Sequence, residues 1–293
     1  GSATTADNCG VASVTNDAPA VFPLGTTTVT WTVTDNAGLT ATDTQVVTVT
    51  DNEAPTITAP ADVAVNSDAS SCDATGVALG SATTADNCGV ASVTNDAPAV
   101  FPLGTTTVTW TVTDNAGLTA TDTQVVTVTD NEAPTITAPA DVAVNADASS
   151  CDATGVALGS ATTADNCGVA SVTNDAPAVF PLGTTTVTWT VTDNAGLTAT
   201  DTQIITVTDN ESPTITAPAD VAVNTDASSC DATGVALGSA TTTDNCGVAS
   251  VTNDAPAVFP LGTTTVTWTV TDNAGLTATD TQIITVTDNE SPT

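Results

Sequence analysis

The chain has 293 residues, with 33 Asp and Glu and no Lys, Arg or His, which gives a formal net charge of -33 at pH 7. A surface of one negative sign repels nucleic-acid phosphates and anionic lipids, so we expect neither as a partner, whereas cations are favoured. Carboxylates are the only acid–base groups in quantity, and we expect no enzymatic activity from carboxylates scattered over turns.

The sequence repeats with a period of 79 residues, and equivalent residues therefore differ by 79. We predict these domains: 1–50, the C-terminal part of a truncated repeat (copy 1); 51–129 (copy 2); 130–208 (copy 3); 209–287 (copy 4); and 288–293, the start of the next repeat. We expect the chain to be a window from a longer array. Thr or Asp interrupts every apolar run before the ~18 residues of a membrane span, so no membrane insertion is expected in this segment.

Within copy 2, four short segments are predicted as strands, and none shows helical periodicity. They are, in chain order, "PTITAP" (55–60), "DVAVN" (62–66), "ATGVALG" (74–80) and "GVASVTN" (89–95).

A longer hairpin follows these strands. Val108, Trp110 and Val112 alternate with threonines, which predicts a strand with one buried face and one polar face. "DNAG" (114–117) predicts the turn, and 118–129 the returning strand. The tryptophan of each copy is therefore expected to be a core residue. Six or seven short strands per repeat predict an all-β chain of tandem immunoglobulin-like β-sandwich repeats, arranged as an extended rod.

The cysteines alternate at spacings of 16 and 63 residues. We predict disulfides within copies, at Cys72–Cys88, Cys151–Cys167 and Cys230–Cys246. The alternative joins cysteines 63 apart and tethers neighbouring copies. A short loop closed in this way adds about 3 kcal/mol in the chain-entropy model. No His or CxxC accompanies the thiols, so metal-binding or catalytic cysteines are less favoured, and disulfides imply an oxidising, extracellular setting.

Three segments of the repeat resemble the hyalin repeat (HYR) domain, an immunoglobulin-like module of extracellular proteins. They are "DNEAPTITAPADVAVN", "TTADNCG" and "FPLGTTTVTWTVTDNAGLTAT". The resemblance departs at two places, because Ala59 stands where the family has cysteine before proline, and Asp122 where it has a late cysteine. It implies that one family disulfide is absent. It also implies an adhesive or scaffolding protein, as in the stalks of large bacterial surface proteins, and names no catalytic residue.

The linker "DNE" resembles the Asp-Asn-Ala-Pro linker of cadherins, where calcium binds between domains. If Cys72 bonds Cys88, the segment between them goes out and comes back, which places Asp86-Asn87 at the end of the copy where Cys72 lies. Chain direction places the "DNAG" turn at the opposite end. We therefore predict that acidic elements meet at each junction: Asp86-Asn87 from one copy, the linker Asp130-Asn131-Glu132, and Asp193-Asn194 from the next. Ca²⁺ takes about six to eight oxygen ligands of these types. The same argument gives the other candidate ligands: Asp51, Asn52, Glu53, Asp114, Asn115, Asp165, Asn166, Asp209, Asn210, Glu211, Asp272 and Asn273.

A simpler interpretation is that these Asp and Asn residues form turns, since their side chains cap turns and tolerate left-handed backbone. For "DNAG" alone this interpretation is preferred. For the linker "DNE", which closes no hairpin, we prefer calcium.

Together these features predict the structural repeat region of an extracellular, cell-surface adhesin or fibre, acting as a calcium-stiffened spacer or stalk. The alternative is that the repeats themselves assemble into a filament or bind a glycan or protein ligand. Expected partners are neighbouring repeats of the chain, other copies in a filament, and a glycan or surface reached through terminal domains outside this sequence.

Overall fold

The computed structural model describes residues 1–291. This part of the chain forms 27 β-strands and no helix, and the strand pattern repeats with the 79-residue copies. The strands of copy 1 are β1 (Val11–Asn16), β2 (Gly25–Asp35) and β3 (Thr40–Val49). Those of copy 2 are β4 (Thr56–Thr58), β5 (Val63–Asn66), β6 (Asp73–Thr75), β7 (Thr83–Ala85), β8 (Val90–Asn95), β9 (Val100–Pro102), β10 (Gly104–Asp114) and β11 (Thr119–Thr129).

Copies 3 and 4 repeat the eight strands of copy 2. Copy 3 contains β12 (Thr135–Thr137), β13 (Val142–Asn145), β14 (Asp152–Thr154), β15 (Thr162–Ala164), β16 (Val169–Asn174), β17 (Val179–Pro181), β18 (Gly183–Asp193) and β19 (Thr198–Thr208). Copy 4 contains β20 (Thr214–Thr216), β21 (Val221–Asn224), β22 (Asp231–Thr233), β23 (Thr241–Thr243), β24 (Val248–Asn253), β25 (Val258–Pro260), β26 (Gly262–Asp272) and β27 (Thr277–Thr287).

The chain divides into two compact units. The first, Gly1–Asn131, holds copies 1 and 2, and the second begins at Glu132 and holds copies 3 and 4. Copy 1 is a three-stranded sheet in the order β1-β2-β3.

Each complete copy is a sandwich of one large sheet and two small ones. In copy 2 the large sheet has the order β5-β11-β10-β8, with β5 parallel to β11, and the small sheets pair β4 with β7 and β6 with β9. Val108 and Trp110 of the large sheet pack with Phe101 and Ala74 of the small ones. This core is an immunoglobulin-like arrangement, as the sequence predicted.

The central hairpin is confirmed residue by residue. Val108 and Val112 are 0% exposed and Trp110 is 6% exposed, whereas the threonines between them point to the outer face. β10 and β11 pair without a break from Gly104↔Val128 to Thr113↔Thr119. The small strands were predicted less well, since β7 and β9 were missed, and of "ATGVALG" (74–80) only the first two residues are in a strand, as the end of β6.

A buried glutamine ties the large sheet to the rest of the sandwich. Gln124 is 0% exposed, and its Nε2 donates to the carbonyl oxygens of Ala61 at 2.7 Å and Leu79 at 3.0 Å. Its Oε1 accepts from Trp110 Nε1 at 3.1 Å. Every buried polar atom of this side chain therefore has a partner, which avoids the penalty for desolvated groups.

The two positions at which the chain departs from the hyalin pattern are in contact with each other. The Ala59 amide donates to Asp122 Oδ2 at 2.8 Å. This hydrogen bond, followed by the bond from the Thr123 amide, holds the pKa of Asp122 below its ordinary value. A hydrogen bond thus joins the positions that the resemblance assigns to cysteines.

Candidate functional site

Three acidic elements meet at one end of copy 2 and again at the same end of copy 4, and we call this end the entry end because the linker enters there. In copy 2 β4 pairs with β7 through Thr56↔Ala85, so the loop after β7 lies beside the linker. β8 pairs with β10 through Val90↔Asp114, which brings the "DNAG" turn to the same end.

The opposite end of the copy is the exit end, where the last strand finishes. Asn66 at the end of β5 pairs with Thr129 at the end of β11, and the Ser67 amide donates to the Thr129 carbonyl oxygen. Cys72 follows shortly after, whereas Cys88 lies in the loop after β7. The two cysteines of one copy therefore belong to opposite ends.

This geometry overturns the predicted disulfide pairing. Cys151 of copy 3 is bonded to Cys246 of copy 4, with Cα atoms 4.9 Å apart and a sequence separation of 95. Cys88 and Cys230 are free thiols, as is Cys9. The predicted pairs Cys72–Cys88, Cys151–Cys167 and Cys230–Cys246 are therefore wrong, and so is the alternative spacing of 63. Cys72 and Cys167 are disulfide-bonded as well.

The reason for the error is the course of the chain between the two cysteines. The prediction assumed that this segment goes out and comes back. Instead β6 and β7 join different partner strands, β9 and β4, and the segment crosses from the exit end to the entry end. The alternative was right in one respect, because the observed bond tethers neighbouring copies.

Polar contacts accompany the disulfide where copy 3 meets copy 4. Asn245 Nδ2 donates to the Ser150 carbonyl oxygen at 2.7 Å and to Asp209 Oδ1 at 3.3 Å. The Ser149 amide donates to Glu211 Oε2 at 2.7 Å. The exit end of copy 3 is thus held by both the linker and the loop 244–246 of copy 4.

The entry end of copy 2 carries a compact carboxylate cluster. Asp51 of the linker, Asp86 of the loop after β7 and Asp114 of the turn each place one oxygen within 4.8 Å of the others. Asp114 is only 2% exposed.

Each aspartate uses one oxygen for local structure. Asp114 Oδ1 accepts the amides of Ala116 and Leu118, both at 2.8 Å. Asp86 Oδ2 accepts the Cys88 amide at 2.8 Å.

The second oxygen of each aspartate is buried without a hydrogen-bond partner: Asp51 Oδ2, Asp86 Oδ1 and Asp114 Oδ2. Turn formation therefore explains the position of one oxygen of each carboxylate but not the burial of the other. Buried polar atoms normally have partners, so three neighbouring exceptions point to a ligand.

Copy 4 repeats this arrangement. Asp209, Asp244 and Asp272 form the cluster, and Asp209 Oδ2, Asp244 Oδ1 and Asp272 Oδ2 are buried without partners. Copy 3 carries the equivalent residues Asp130, Asp165 and Asp193 in its sequence.

The structure corrects one member of the predicted grouping. Linker and turn aspartates do meet, but the third carboxylate comes from the same copy, Asp244 beside Asp209 and Asp272, where the prediction placed Asp165 of the preceding copy. The error follows from the wrong disulfide, which had put the loop after β7 at the exit end.

The asparagines of the "DNAG" turn have a structural role. Asn115 Nδ2 donates to the Cys88 carbonyl oxygen at 2.9 Å and the Asn115 amide to the Gly89 carbonyl oxygen at 3.1 Å, which clamps the two loops together. Gly89 has φ +96, and a Cβ there would lie 2.9 Å from Asn115 Nδ2, so only glycine fits. Asn194 and Asn273 make the same bonds to Cys167 and Cys246.

The remaining predicted ligands lie around the clusters. Asn52, Glu53, Asn87 and Asn210 are exposed, and Asn166 is half-buried. Asn131 and Glu132 continue the linker between copies 2 and 3 from Asp130.

A free thiol lies beside the cluster of copy 2. Burial raises the pKa of the Cys88 thiol, and the neighbouring Asp51 carboxylate, with the negative charges of Asp86 and Asp114, raises it further. The thiolate is therefore disfavoured at this position.

Comparisons with known proteins give structural neighbours only. No protein-family model matches the chain, and no curated protein matches it. Mouse cadherin-23 EC22-24 is similar over 81% of this chain and 100% of its own, at 14% identity and a TM-score of 0.37. Protocadherin gamma B2 extracellular cadherin domains 3-6 are similar over 90% of this chain and 84% of their own, at 14% identity and a TM-score of 0.35. Drosophila N-cadherin EC1-4 is similar over 91% of this chain and 85% of its own, at 12% identity and a TM-score of 0.33. The part of the chain that the structure describes contains no helix long and apolar enough to cross a membrane.

Proposed function

We propose that this chain is the repeat region of an extracellular, cell-surface adhesin or fibre of the hyalin-repeat type, and that it acts as a spacer stiffened by calcium. Near-identical copies suit a spacer, which needs length more than distinct surfaces. Disulfides suit an oxidising compartment outside the cytosol. The calcium part of the proposal rests on the carboxylate clusters.

One observation carries the calcium proposal: three aspartates per cluster each keep a buried oxygen without a hydrogen-bond partner, in a chain with no Lys, Arg or His. No side chain of the protein can neutralise them. Two charges 4.8 Å apart repel by about 3 kcal/mol at an effective dielectric constant of about 20. A cation from solvent removes this repulsion and supplies the missing partner.

The chemistry of the donor set favours calcium over magnesium. The cluster offers carboxylate oxygens on a linker, a loop and a turn, and Ca²⁺ accepts such irregular oxygen sites with variable coordination. Mg²⁺ demands near-ideal octahedral geometry and dehydrates reluctantly. Asp209, Asp244 and Asp272 would hold the ion in copy 4, where it supplies positive charge between elements that otherwise repel.

The position of the cluster explains why bound calcium would stiffen the chain. Asp209 belongs to the linker, and Asp244 precedes Asn245 and Cys246, both of which contact copy 3. An ion bound by both Asp209 and Asp244 would therefore hold the linker against the loop 244–246, which is bonded to the preceding copy.

Calorimetric titration of the calcium-free 293-residue chain tests the proposal. We expect at least two Ca²⁺ per chain with a Kd of about 1 mM or tighter, as in extracellular calcium modules, and weaker binding of Mg²⁺. Small-angle scattering on the same samples should show a narrower distribution of sizes with calcium. Absence of binding up to ~10 mM would remove the calcium part. Binding without any change in scattering would remove the stiffening part.

A further inference from the structure

One side chain bridges copy 3, copy 4 and the linker between them. Asn245 lies in the loop 244–246 of copy 4, and its Nδ2 donates to the Ser150 carbonyl oxygen of copy 3 at 2.7 Å and to Asp209 Oδ1 of the linker at 3.3 Å. The side chain is half-buried. A carboxamide nitrogen carries two hydrogens. The two contacts therefore use both donors of Asn245.

These contacts decide which oxygen of Asp209 is left for a cation. Asp209 Oδ1 also accepts the Glu211 amide at 3.1 Å, whereas Oδ2 is buried without a hydrogen-bond partner. Both donors thus hold the same oxygen and leave the other one for the cluster with Asp244 and Asp272. Because the chain has no Lys, Arg or His, a neutral donor such as Asn245 must do this.

The neighbours of Asn245 in the sequence connect the same loop to both sides. Asp244 belongs to the carboxylate cluster, and Cys246 is bonded to Cys151 of copy 3. Asn273 Nδ2 donates to the Cys246 carbonyl oxygen at 2.9 Å and holds the loop from within copy 4. Three consecutive residues therefore contact the cation site, the linker and the preceding copy.

We propose that Asn245 is a positioning residue that makes calcium binding at the cluster of copy 4 depend on the contact with copy 3. The inference rests on the calcium site of the proposed function and assigns its regulation. The Ser150 carbonyl oxygen orients the Asn245 carboxamide, which in turn holds Asp209 in place for the ion. Separation of the two copies removes this orientation, and the ion then has to order Asp209 itself, which costs affinity.

The coupling acts in both directions. Linkage requires that, if contact with copy 3 strengthens calcium binding, bound calcium strengthens the contact with copy 3 by the same factor. The linker and the loop 244–246 then respond to calcium as one unit with the end of copy 3.

The two contacts restrict the residue type at position 245. Both acceptors are oxygens, and one of them belongs to a carboxylate, so the side chain between them has to donate twice. Serine has one donor, and an ionised aspartate has none and would add a negative charge beside Asp209. Asparagine meets the requirement with a short side chain.

Two amides report the two sides of the coupling separately. The Ser149 amide donates to Glu211 Oε2 at 2.7 Å, so its hydrogen exchange slows when copy 3 and the linker are in contact. The Cys246 amide donates to Asp244 Oδ2 at 2.8 Å, so its exchange follows the cluster. Neither hydrogen bond involves Asn245.

Hydrogen exchange of the whole chain at increasing calcium, followed by mass spectrometry, tests the proposal. Peptides that contain Ala146 or Thr243 are assigned to copies 3 and 4, because the other copies carry different residues at these repeat positions. In the unaltered chain calcium should slow both reporter amides. In Asn245→Ala the calcium needed to slow the Cys246 amide should rise about tenfold, the value of one hydrogen bond to a charged group. By reciprocity, calcium should then slow the Ser149 amide about tenfold less.

Two further variants separate donation from packing. Asn245→Asp keeps the size of the side chain and removes its donors, so in the presence of a chelator the Ser149 amide should exchange faster than in the unaltered chain. Unchanged exchange would show that Asn245 only fills space, and would overturn the proposal. Asn253→Ala is the control, since Asn253 Oδ1 accepts the Ala255 amide at 3.2 Å within copy 4, and it should leave both reporter amides unchanged.

Failure of the coupling is distinguishable from failure of the calcium site. If the unaltered chain shows no calcium response at the Cys246 amide up to ~10 mM, the proposed calcium site is removed and the coupling with it. If calcium slows the Ser149 amide equally in Asn245→Ala and in the unaltered chain, the calcium site stands and the role of Asn245 is wrong.

Discussion

A single aspartate can serve both a turn and a cation site because its two carboxylate oxygens have separate surroundings. In Asp272, Oδ1 accepts the Leu276 amide at 2.8 Å, whereas Oδ2 is buried without a hydrogen-bond partner. The side chain is 1% exposed. The turn interpretation of "DNAG" and the calcium interpretation are therefore compatible at this residue.

The substitution Asp272→Asn separates the turn-forming role from the cation-binding role, because asparagine keeps an acceptor for the turn and removes the charge. Without calcium we expect the variant to unfold at a higher temperature than the unaltered chain, since like-charge repulsion is relieved. With calcium it should unfold at a lower temperature and bind the ion about tenfold or more weakly, since one charged ligand is lost. Thermal unfolding followed by tryptophan fluorescence, with calcium or with a chelator, measures both.

The matched control is Asp254→Asn. Asp254 Oδ1 accepts the Thr267 amide at 2.6 Å and lies outside the cluster. Asp254→Asn should shift the unfolding temperature in the same direction with and without calcium. The interpretation of Asp272 fails if its effect does not change sign between the two conditions.

Asp201 predicts a pH dependence. The Ala138 amide, and after it the Thr202 amide, holds the pKa of Asp201 below its ordinary value in the folded chain. Because the folded pKa is the lower one, the stabilisation is present at neutral pH and is lost as the pH falls below about 4 and through the folded pKa.

The measurement compares Asp201→Asn with the unaltered chain in urea unfolding at pH 7 and at pH 3. The variant should be less stable at pH 7, and the difference should shrink at pH 3. Asp43→Asn is the control, since copy 1 has no counterpart of Ala138 in this sequence. A difference that grows on acidification would contradict the assignment.

At the scale of the strands, the alternation of Val108, Trp110 and Val112 was enough to predict the hairpin, because the period of two decides which face is buried. The same period runs through Gln124, Val126 and Val128, so the buried glutamine was present in the pattern. It was missed because glutamine is rarely buried.

The ends of the copy could not be predicted from the sequence in the same way. Which end Cys88 occupies depends on β7 pairing with β4, and three-residue strands such as Thr83–Ala85 show too little alternation to be recognised. Without that pairing, the position of Cys88 was inferred from the predicted Cys72–Cys88 disulfide, which placed it at the exit end and not at the entry end. The grouping of the carboxylates therefore required the structure, and metal binding by the predicted residues stays a prediction.

Gln203 tests the buried polar link of copy 3. Its Nε2 donates to the carbonyl oxygens of Ala140 at 2.7 Å and Leu158 at 3.0 Å, and its Oε1 accepts from Trp189. Gln203→Leu leaves these buried groups without partners, and we expect a loss of about 2–4 kcal/mol in copy 3. Hydrogen exchange of β18 and β19, followed by mass spectrometry, reports that copy alone.

Copy 1 provides the control for this substitution. Gln45 is exposed and accepts from Trp31 Nε1 at 3.1 Å, so Gln45→Leu should change exchange of β2 and β3 far less. Equal effects at the two positions would show that the buried bonds are not what stabilises the sandwich.

At the scale of the whole molecule, stability comes from joints as well as from cores. Each sandwich is small, and the Cys151–Cys246 bond closes a loop across two copies. For a sequence separation of 95 the chain-entropy model gives about 4–5 kcal/mol, more than the short loop predicted from the sequence would give. The disulfide therefore stabilises the connection between copies 3 and 4.

The disulfide and the proposed calcium ion act on the same short loop, Asp244 to Cys246, so the two should be coupled. With Cys246 bonded to copy 3, the loop is already ordered and Asp244 is in place for the ion. We expect Cys246→Ser to weaken calcium binding at this cluster about tenfold, measured by calorimetry. Coupling is reciprocal, so calcium should make the Cys151–Cys246 bond harder to reduce by about the same factor, roughly 30 mV.

A glutathione redox titration with and without calcium, read by alkylation and mass spectrometry, measures that second effect. Cys230→Ser, which alters an exposed free thiol at the other end of copy 4, should change neither quantity. A reduction potential that is the same with and without calcium would contradict the coupling. The loop would then serve the two restraints independently, and calcium would stiffen the linker without strengthening the bond between copies.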